Sequence, residues 1–196
     1  MNKSDRANLR KELRRKRHSL SSSEQHIAAK RLYRQVATQT FFLKARRIGF
    51  YFASDAEVDP LAILIKALEM GKQCFLPLLS AHQPGKVCFA PFREGDALQP
   101  NQWGILEPVT KVRDLVSIRA INLVFVPLVG FDERCSRLGM GKGFYDRTFS
   151  YKSRTGNNKP KLVGLAHECQ KIDLIPTDSW DVRLDEVITD SNVYYP

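Results

Sequence analysis

The chain has 196 residues, 43% hydrophobic and 27% charged, the balance of one ordinary α/β domain with room for a helical extension. No apolar stretch approaches the about 18 residues of a membrane helix, and the basic start lacks the apolar core of a secretory signal. The net charge of +10 sits entirely at the front: residues 1–47 hold 14 Lys/Arg against 3 Asp/Glu, the remainder 17 against 18. Such a basic front faces either a nucleic acid or an anionic small molecule, and Asp5, Glu12 and Glu24 speak against a transit peptide. Four cysteines (Cys74, Cys88, Cys135, Cys169) without a C-x-x-C pair read as reduced thiols in a cytoplasmic protein. The histidines (His18, His26, His82, His167) have no metal-ligand spacing and read as surface or packing residues.

Residues 4–17 read as a helix with Leu9 and Leu13 on one face and Arg6, Arg10 and Arg14 as a second stripe. Such a stripe grips phosphates, or is simply a solvated face. Ser21 and Glu24 form a capping box, so a second helix is predicted over 22–39 with Ala28, Leu32 and Val36 buried. Residues 47–52 read as a first strand. Asp59 and Pro60 then predict a helix start, Gly71 its end, and 72–78 a second, parallel strand. Residues 86–92 read as an edge strand because Pro91 cannot donate to a ladder. Residues 93–114 read as loop, with Trp103 either a packing anchor or a stacking surface for a flat ring. The apolar run 121–128 is the predicted central strand. After a polar stretch, 151–160, strands are predicted at 161–166 and, last, at 186–189. Asp181 and Asp185 stand near the start of that last strand.

The chain turns on Arg137–Arg147, Arg-Leu-Gly-Met-Gly-Lys-Gly-Phe-Tyr-Asp-Arg. It follows the central strand and opens a helix at Phe144. Gly139, Gly141 and Gly143 let backbone approach a ligand. Free N–H groups at the helix start, with Arg137 and Lys142, suit an anion, and Asp146 lies one turn on for a metal shared with phosphates; by spacing alone the stretch is equally a plain tight turn with solvated charges. This is neither a P-loop nor a dinucleotide fingerprint, because the order is G-x-G-x-G and no Ser/Thr follows the lysine. Together with the acidic Glu57 junction and Trp103, the pattern suggests an ATP-using enzyme with a flat second substrate.

Over nearly its whole length the chain resembles the 5-formyltetrahydrofolate cyclo-ligase family. The resemblance rests on Glu57-Val-Asp59, Gly71-Lys72, Trp103-Gly-Ile with Glu107-Pro108, and Val126-Pro with Phe131-Asp132. It rests most of all on Arg137–Arg147, and it continues through Gln170, Pro176, Asp181 and Asp185–Thr189. It implies a Rossmann-like three-layer α/β/α sandwich with a mostly parallel central sheet and an N-terminal helical pair. It implies a single domain over 1–196 with 1–40 as its basic helical part. The implied enzyme is a monomeric ligase that acts on small molecules, with no nucleic acid or membrane partner. It would turn 5-formyltetrahydrofolate into 5,10-methenyltetrahydrofolate with ATP and Mg²⁺, giving ADP and phosphate, through phosphorylation of the formyl oxygen and attack by N10. Carried onto matching positions, Lys142, Arg137 and Tyr145 are catalytic. ATP meets Arg6, Arg10 and the stretch Arg137, Leu138, Gly139, Met140, Gly141, Lys142, Gly143, Phe144 and Tyr145. Folate meets Phe52, Glu57, Trp103, Met140, Gly141, Lys142, Gly143 and Phe144, and the metal meets Asp146 and Asp181. Cys135 stands where the family usually has glycine, so an altered turn is expected there.

Overall fold

The structure is a computed structural model that describes residues 3–79, 83–152 and 159–196. His82 and residues 153–158 of the polar stretch lie outside the described residues. Helices α1 (Lys3–His18), α2 (Ser22–Ala37) and α3 (Thr40–Lys44) lead into strand β1 (Arg47–Gly49). Helix α4 (Leu61–Glu69), β2 (Gln73–Leu79), β3 (Val87–Phe92), β4 (Leu98–Pro100) and β5 (Leu106–Pro108) follow. Then come β6 (Leu123–Pro127), β7 (Gly130–Phe131), β8 (Arg137–Leu138), α5 (Phe144–Phe149), β9 (Lys161–Ala166), β10 (Glu186–Thr189) and β11 (Val193–Tyr194).

Among the described residues one seven-stranded sheet runs β11-β10-β9-β6-β1-β2-β3. Its five inner strands are parallel, and β3 and β11 pair antiparallel at the two edges. Strand β11, which the sequence reading did not anticipate, therefore follows the strand taken to be last. From β1 the chain moves outward to β2; from β6 it moves the other way to β9 and β10. The order thus reverses between β1 and β6, and in open α/β sheets the crevice beyond the strand ends at such a point takes ligands.

Period-two alternation along β6 divides the core. Leu123 and Phe125 join a cluster with Leu32 and Val36 of α2, Phe42 of α3, and Ile63, Leu64 and Ala67 of α4. Val124 and Val126 face the other side, against Phe149 of α5, Val182 and Leu184. The predicted capping box holds: the Ser21 hydroxyl accepts from Glu24 N–H, and Glu24 accepts from Ser21 N–H. The helix start at Asp59–Pro60 is shifted by one residue: Pro60, not Asp59, is the N-cap of α4, and the Asp59 carboxylate accepts Leu61 N–H at 2.9 Å from just outside it. Helix α2 packs on α4 and β10, while α1 stands apart beside the 3₁₀ turn at Glu168–Gln170. The predicted loop 93–114 contains the β4–β5 hairpin. Its short strands carry prolines and low strand propensity; Glu107 ties them to β2 by accepting Leu79 N–H at 3.1 Å and braces their turn by accepting from Asn101 at 2.8 Å.

Candidate active site

Strand β1 is shorter than its apolar run because Phe50 N–H makes the last ladder bond, to Phe75 C=O at 2.8 Å. Past it the chain bends away to form one wall of a cleft of about 1180 Å³ beyond the strand ends. Helix α1, the β4–β5 turn and the Trp180–Asp181 segment form the other walls. Every residue of Arg137–Arg147 lines this cleft, as do Arg6, Arg10, Phe52, Glu57, Trp103 and Asp181. All the residues singled out for ATP, folate and metal therefore meet in one place. Asp185 does not; its carboxylate accepts Leu162 N–H at 2.7 Å and pairs with Lys152 at 3.0 Å, pinning β9 to the start of β10.

The glycine stretch does not leave the central strand directly. The β7–β8 hairpin intervenes, its turn organised by buried Asp132, whose carboxylate accepts Arg134, Ser136 and Ile175 N–H groups at 3.1, 2.9 and 2.9 Å. Cys135 sits in that turn with φ of 57°. A side chain is thus carried there in the left-handed region that glycine favours. Gly141 and Gly143 have φ of 91° and 65°, whereas Gly139 has no positive φ, so only two of the three alternating glycines use that freedom. Helix α5 has six residues, too few aligned peptides for a large macrodipole, so side chains carry most of the positive charge here.

Those side chains divide into committed and free. Arg137 is buried; its guanidinium donates to Val182 C=O and pairs with Asp146. Arg6 pairs with Asp181 at 2.7 Å and Asp178 at 3.0 Å, and donates to Pro176 C=O. Arg10 donates to Gly139 C=O at 2.8 Å and lies across Gly141, where a Cβ would approach its Cζ to 3.2 Å. Burial, with Arg6 nearby, lowers the pKa of Arg10. Lys142 is exposed at the rim. Arg10 and Lys142 are thus the cations best placed for an incoming anion, while Arg6 and Arg137 hold the two aspartates. Asp146 uses Oδ1 for Arg137 and Val182 N–H, and Asp181 uses Oδ2 for Arg6 and Asp178 N–H. The other oxygen of each has no partner among the described residues. No group of three or more His, Cys, Asp or Glu suited to a metal occurs among them. This donor set fits Mg²⁺, which binds one or two carboxylates and takes its other ligands from phosphates and water.

On the far wall Glu57 accepts the N–H and hydroxyl of Ser54 at 3.1 and 3.3 Å. Burial pushes its pKa up to about 7 against those hydrogen bonds. Burial, with Glu57 second, also raises the Tyr145 phenol, which stays protonated. Trp103 is half exposed and edge-on to Phe144 at 6.1 Å. Its turn is held by Asn101, which accepts Trp103 and Ile105 N–H groups. Arg147 staples the glycine loop, donating to Gly85 and Lys142 carbonyls at 2.6 Å each while lying over the Phe144 ring.

Sequence reasoning missed Trp180 and Asp55, which line the cleft, and Asp178, which shares Arg6 with Asp181. Asp55, also at the cleft, takes Arg14, Arg17 and His18. The ion pairs of Asp178 and Asp55 join segments far apart in the chain, so no local spacing marks them. His18, read as a surface residue, is one of those partners.

The arrangement sets the cations of α1 and the glycine loop and the buried Glu57 carboxyl on walls of one cleft. The 5-formyltetrahydrofolate cyclo-ligase family model matches residues 2–190. The 5-formyltetrahydrofolate cyclo-ligase of Haemophilus influenzae is 32% identical over 189 residues, spanning 96% of this chain and 99% of the relative. The solution structure of the Aquifex aeolicus 5,10-methenyltetrahydrofolate synthetase superposes with a TM-score of 0.82 at 28% identity, over 97% of this chain and 92% of that one. The Mycoplasma pneumoniae synthetase does so with 0.72 at 27%, over 95% and 99%. A family match over nearly the full length, on the same mostly parallel α/β fold, leads to one conclusion: this chain belongs to the 5-formyltetrahydrofolate cyclo-ligase family of enzymes.

Proposed function

We propose that the chain converts 5-formyltetrahydrofolate and ATP into 5,10-methenyltetrahydrofolate, ADP and phosphate, acting as one monomeric domain whose basic first helix is part of the site. The observation that carries this reading is the convergence of Arg6, Arg10, Glu57, Trp103, Arg137–Asp146 and Asp181 on one cleft. The pterin ring presents amino and ring N–H donors, which the Glu57 carboxylate accepts. Trp103 and Phe144 border the flat ring, Phe52 lines the same wall, and Met140 covers it from the rim. Arg10, Lys142 and the loop N–H groups hold the triphosphate, with the γ-phosphorus beside the formyl oxygen.

In the first step the formyl oxygen bonds to the γ-phosphorus and the bond to ADP breaks, leaving an iminium phosphate. N10 then bonds to the formyl carbon, its proton is lost, and phosphate leaves with the carbon–oxygen electron pair. Positioning and charge neutralisation dominate such a transfer. Lys142 and Arg10 neutralise the oxygens, Arg137 acts through the Asp146 it holds, and the protonated Tyr145 phenol donates. Asp146 and Asp181 would be the residues to hold a magnesium ion, which would supply further positive charge beside the phosphates. The free cysteines, with Cys74 and Cys135 pushed up to about 12 and about 11 by burial, fit a reducing cytoplasm.

The test is direct: purified protein, 5-formyltetrahydrofolate, ATP and magnesium should produce the near-ultraviolet absorbance of the conjugated methenyl product, one phosphate released per ring closed. Phosphate release without ring closure, or ring closure without ATP, would refute the reaction as written.

A further inference from the structure

The proposed reaction gives no role to one carboxylate that lines the cleft. Asp55 sits on the turn between β1 and α4, with Arg14 donating to both its oxygens at 2.8 Å. His18 meets it at 2.7 Å, and fully buried Arg17 pairs with it while donating to Leu128 C=O at 3.3 Å. All three partners come from the C-terminal half of α1. That half is firmly seated: Leu13 is fully buried among Val129, Leu138 and Ile175, so close that a Cβ on Gly130 would come within 2.4 Å of it.

The turn itself is strained. Asp55 and Ala56 have φ of 53° and 58°, two consecutive non-glycine residues in the left-handed region. Ser54 and Glu57 close it, Glu57 N–H donating to Ser54 C=O at 2.9 Å and Glu57 Oε2 accepting Ser54 N–H. The direction of the Glu57 carboxylate is therefore set by a turn that the backbone does not favour and that α1 clamps. Toward the other end of the same helix, Arg10 and Arg6 reach the glycine loop and the Pro176–Asp181 segment. At about 1.5 Å per residue, Arg6 and Arg17 stand about 16 Å apart along one rigid rod.

We propose that Asp55 is a positioning residue that couples the two substrates: nucleotide seated on Arg10 fixes α1, and α1 through Asp55 fixes Glu57 for folate. The inference rests on the proposed placement of ATP and folate. Binding couplings are reciprocal, so each ligand must tighten the other by one common factor. The helix is the element both sites bias, seated in the coupled state and loosened at its polar contacts otherwise.

Titration calorimetry on the whole chain tests this, with a non-hydrolysable ATP analogue and 5-formyltetrahydrofolate each titrated alone and in the presence of the other. The parent protein should show mutual tightening of about 5–150-fold. Asp55→Asn, which tolerates the left-handed backbone, should bring that factor to within about twofold of one, below the usual size of an allosteric coupling. Arg14→Ala, which leaves the turn intact, should lower it in the same direction. Unchanged coupling in Asp55→Asn, even with a lower melting temperature, would make the residue merely structural and overturn the proposal. Folate affinity lost equally with and without nucleotide would also overturn it, since Asp55 would then act on folate alone. A parent that binds both ligands without coupling refutes the proposal and spares the functional reading. A parent that binds nucleotide but no folate refutes both.

Discussion

Glu57→Gln separates the cost of a buried charge from its use. The Glu57 carboxyl titrates at about 7 in the fold, against 4.5 for the free side chain, chiefly because burial disfavours the anion. At about 1.4 kcal/mol per unit, the shift corresponds to about 3 kcal/mol, an upper figure because water in the cleft screens the group. The sign follows from proton counting: between the two values the folded state binds more proton than the unfolded chain, so stability falls as pH rises. The contribution is complete below the unfolded value and is lost as pH passes through about 7. Glutamine carries no proton and has no such slope. Urea unfolding of parent and variant at about pH 5 and about pH 8.5 should therefore show the variant gaining by about 2–3 kcal/mol at the alkaline end. Folate binding should behave oppositely. A ring with N–H donors selects the anion, so parent affinity should rise with pH up to about 7 with proton release on binding, and the variant should bind weakly and without release. Parallel stability profiles for the two proteins would refute the account of Glu57 as a buried acid held half-charged at neutral pH.

Removing Arg10, whose guanidinium spans Gly139 and Gly141, should raise the KM for ATP about tenfold to hundredfold, from about 1.5–3 kcal/mol for a hydrogen bond to a charged group, with folate less affected; equal effects in steady-state kinetics would make it a strut. Asp146→Asn keeps a partner for Val182 N–H but withdraws the charge facing Arg137, so it should lower the melting temperature and also raise the magnesium needed for half-maximal rate. An unchanged magnesium titration would exclude Asp146 as a ligand. At position 135, glycine relieves about 1–2 kcal/mol of left-handed strain while losing a buried thiol, and should prove close to neutral. Cys135→Val puts a β-branched side chain at the same φ and should destabilise more; the reverse order in urea unfolding would refute the strain argument.

Much of this molecule is legible from local chemistry. The α2 capping box, the Asp59–Pro60 helix start, the Gly71 stop and the apolar run of β6 depend on neighbours a few residues away, and each formed close to where it was read. The glycine stretch announced itself through residue types and spacing, and the comparisons agree on the family it marks. Where readings failed, the cause was distant. The β4–β5 hairpin exists because Glu107 reaches Leu79, and β11 because β10 offers it an open edge.

The site divides the same way. The sequence by itself singled out side chains that the fold gathers in one cleft, through residue types and spacings that resemble those of the family. Only the tertiary structure decided their states. Arg6 and Arg137 are bound to Asp181 and Asp146, Arg10 and Lys142 are left for an anion, and burial beside a strained turn holds Glu57 half-charged. An ion pair between residues 175 positions apart, or a carboxyl pKa set by the atoms packed around it, is a property of the folded arrangement. No local window of the chain contains both partners or the packing that sets the charge.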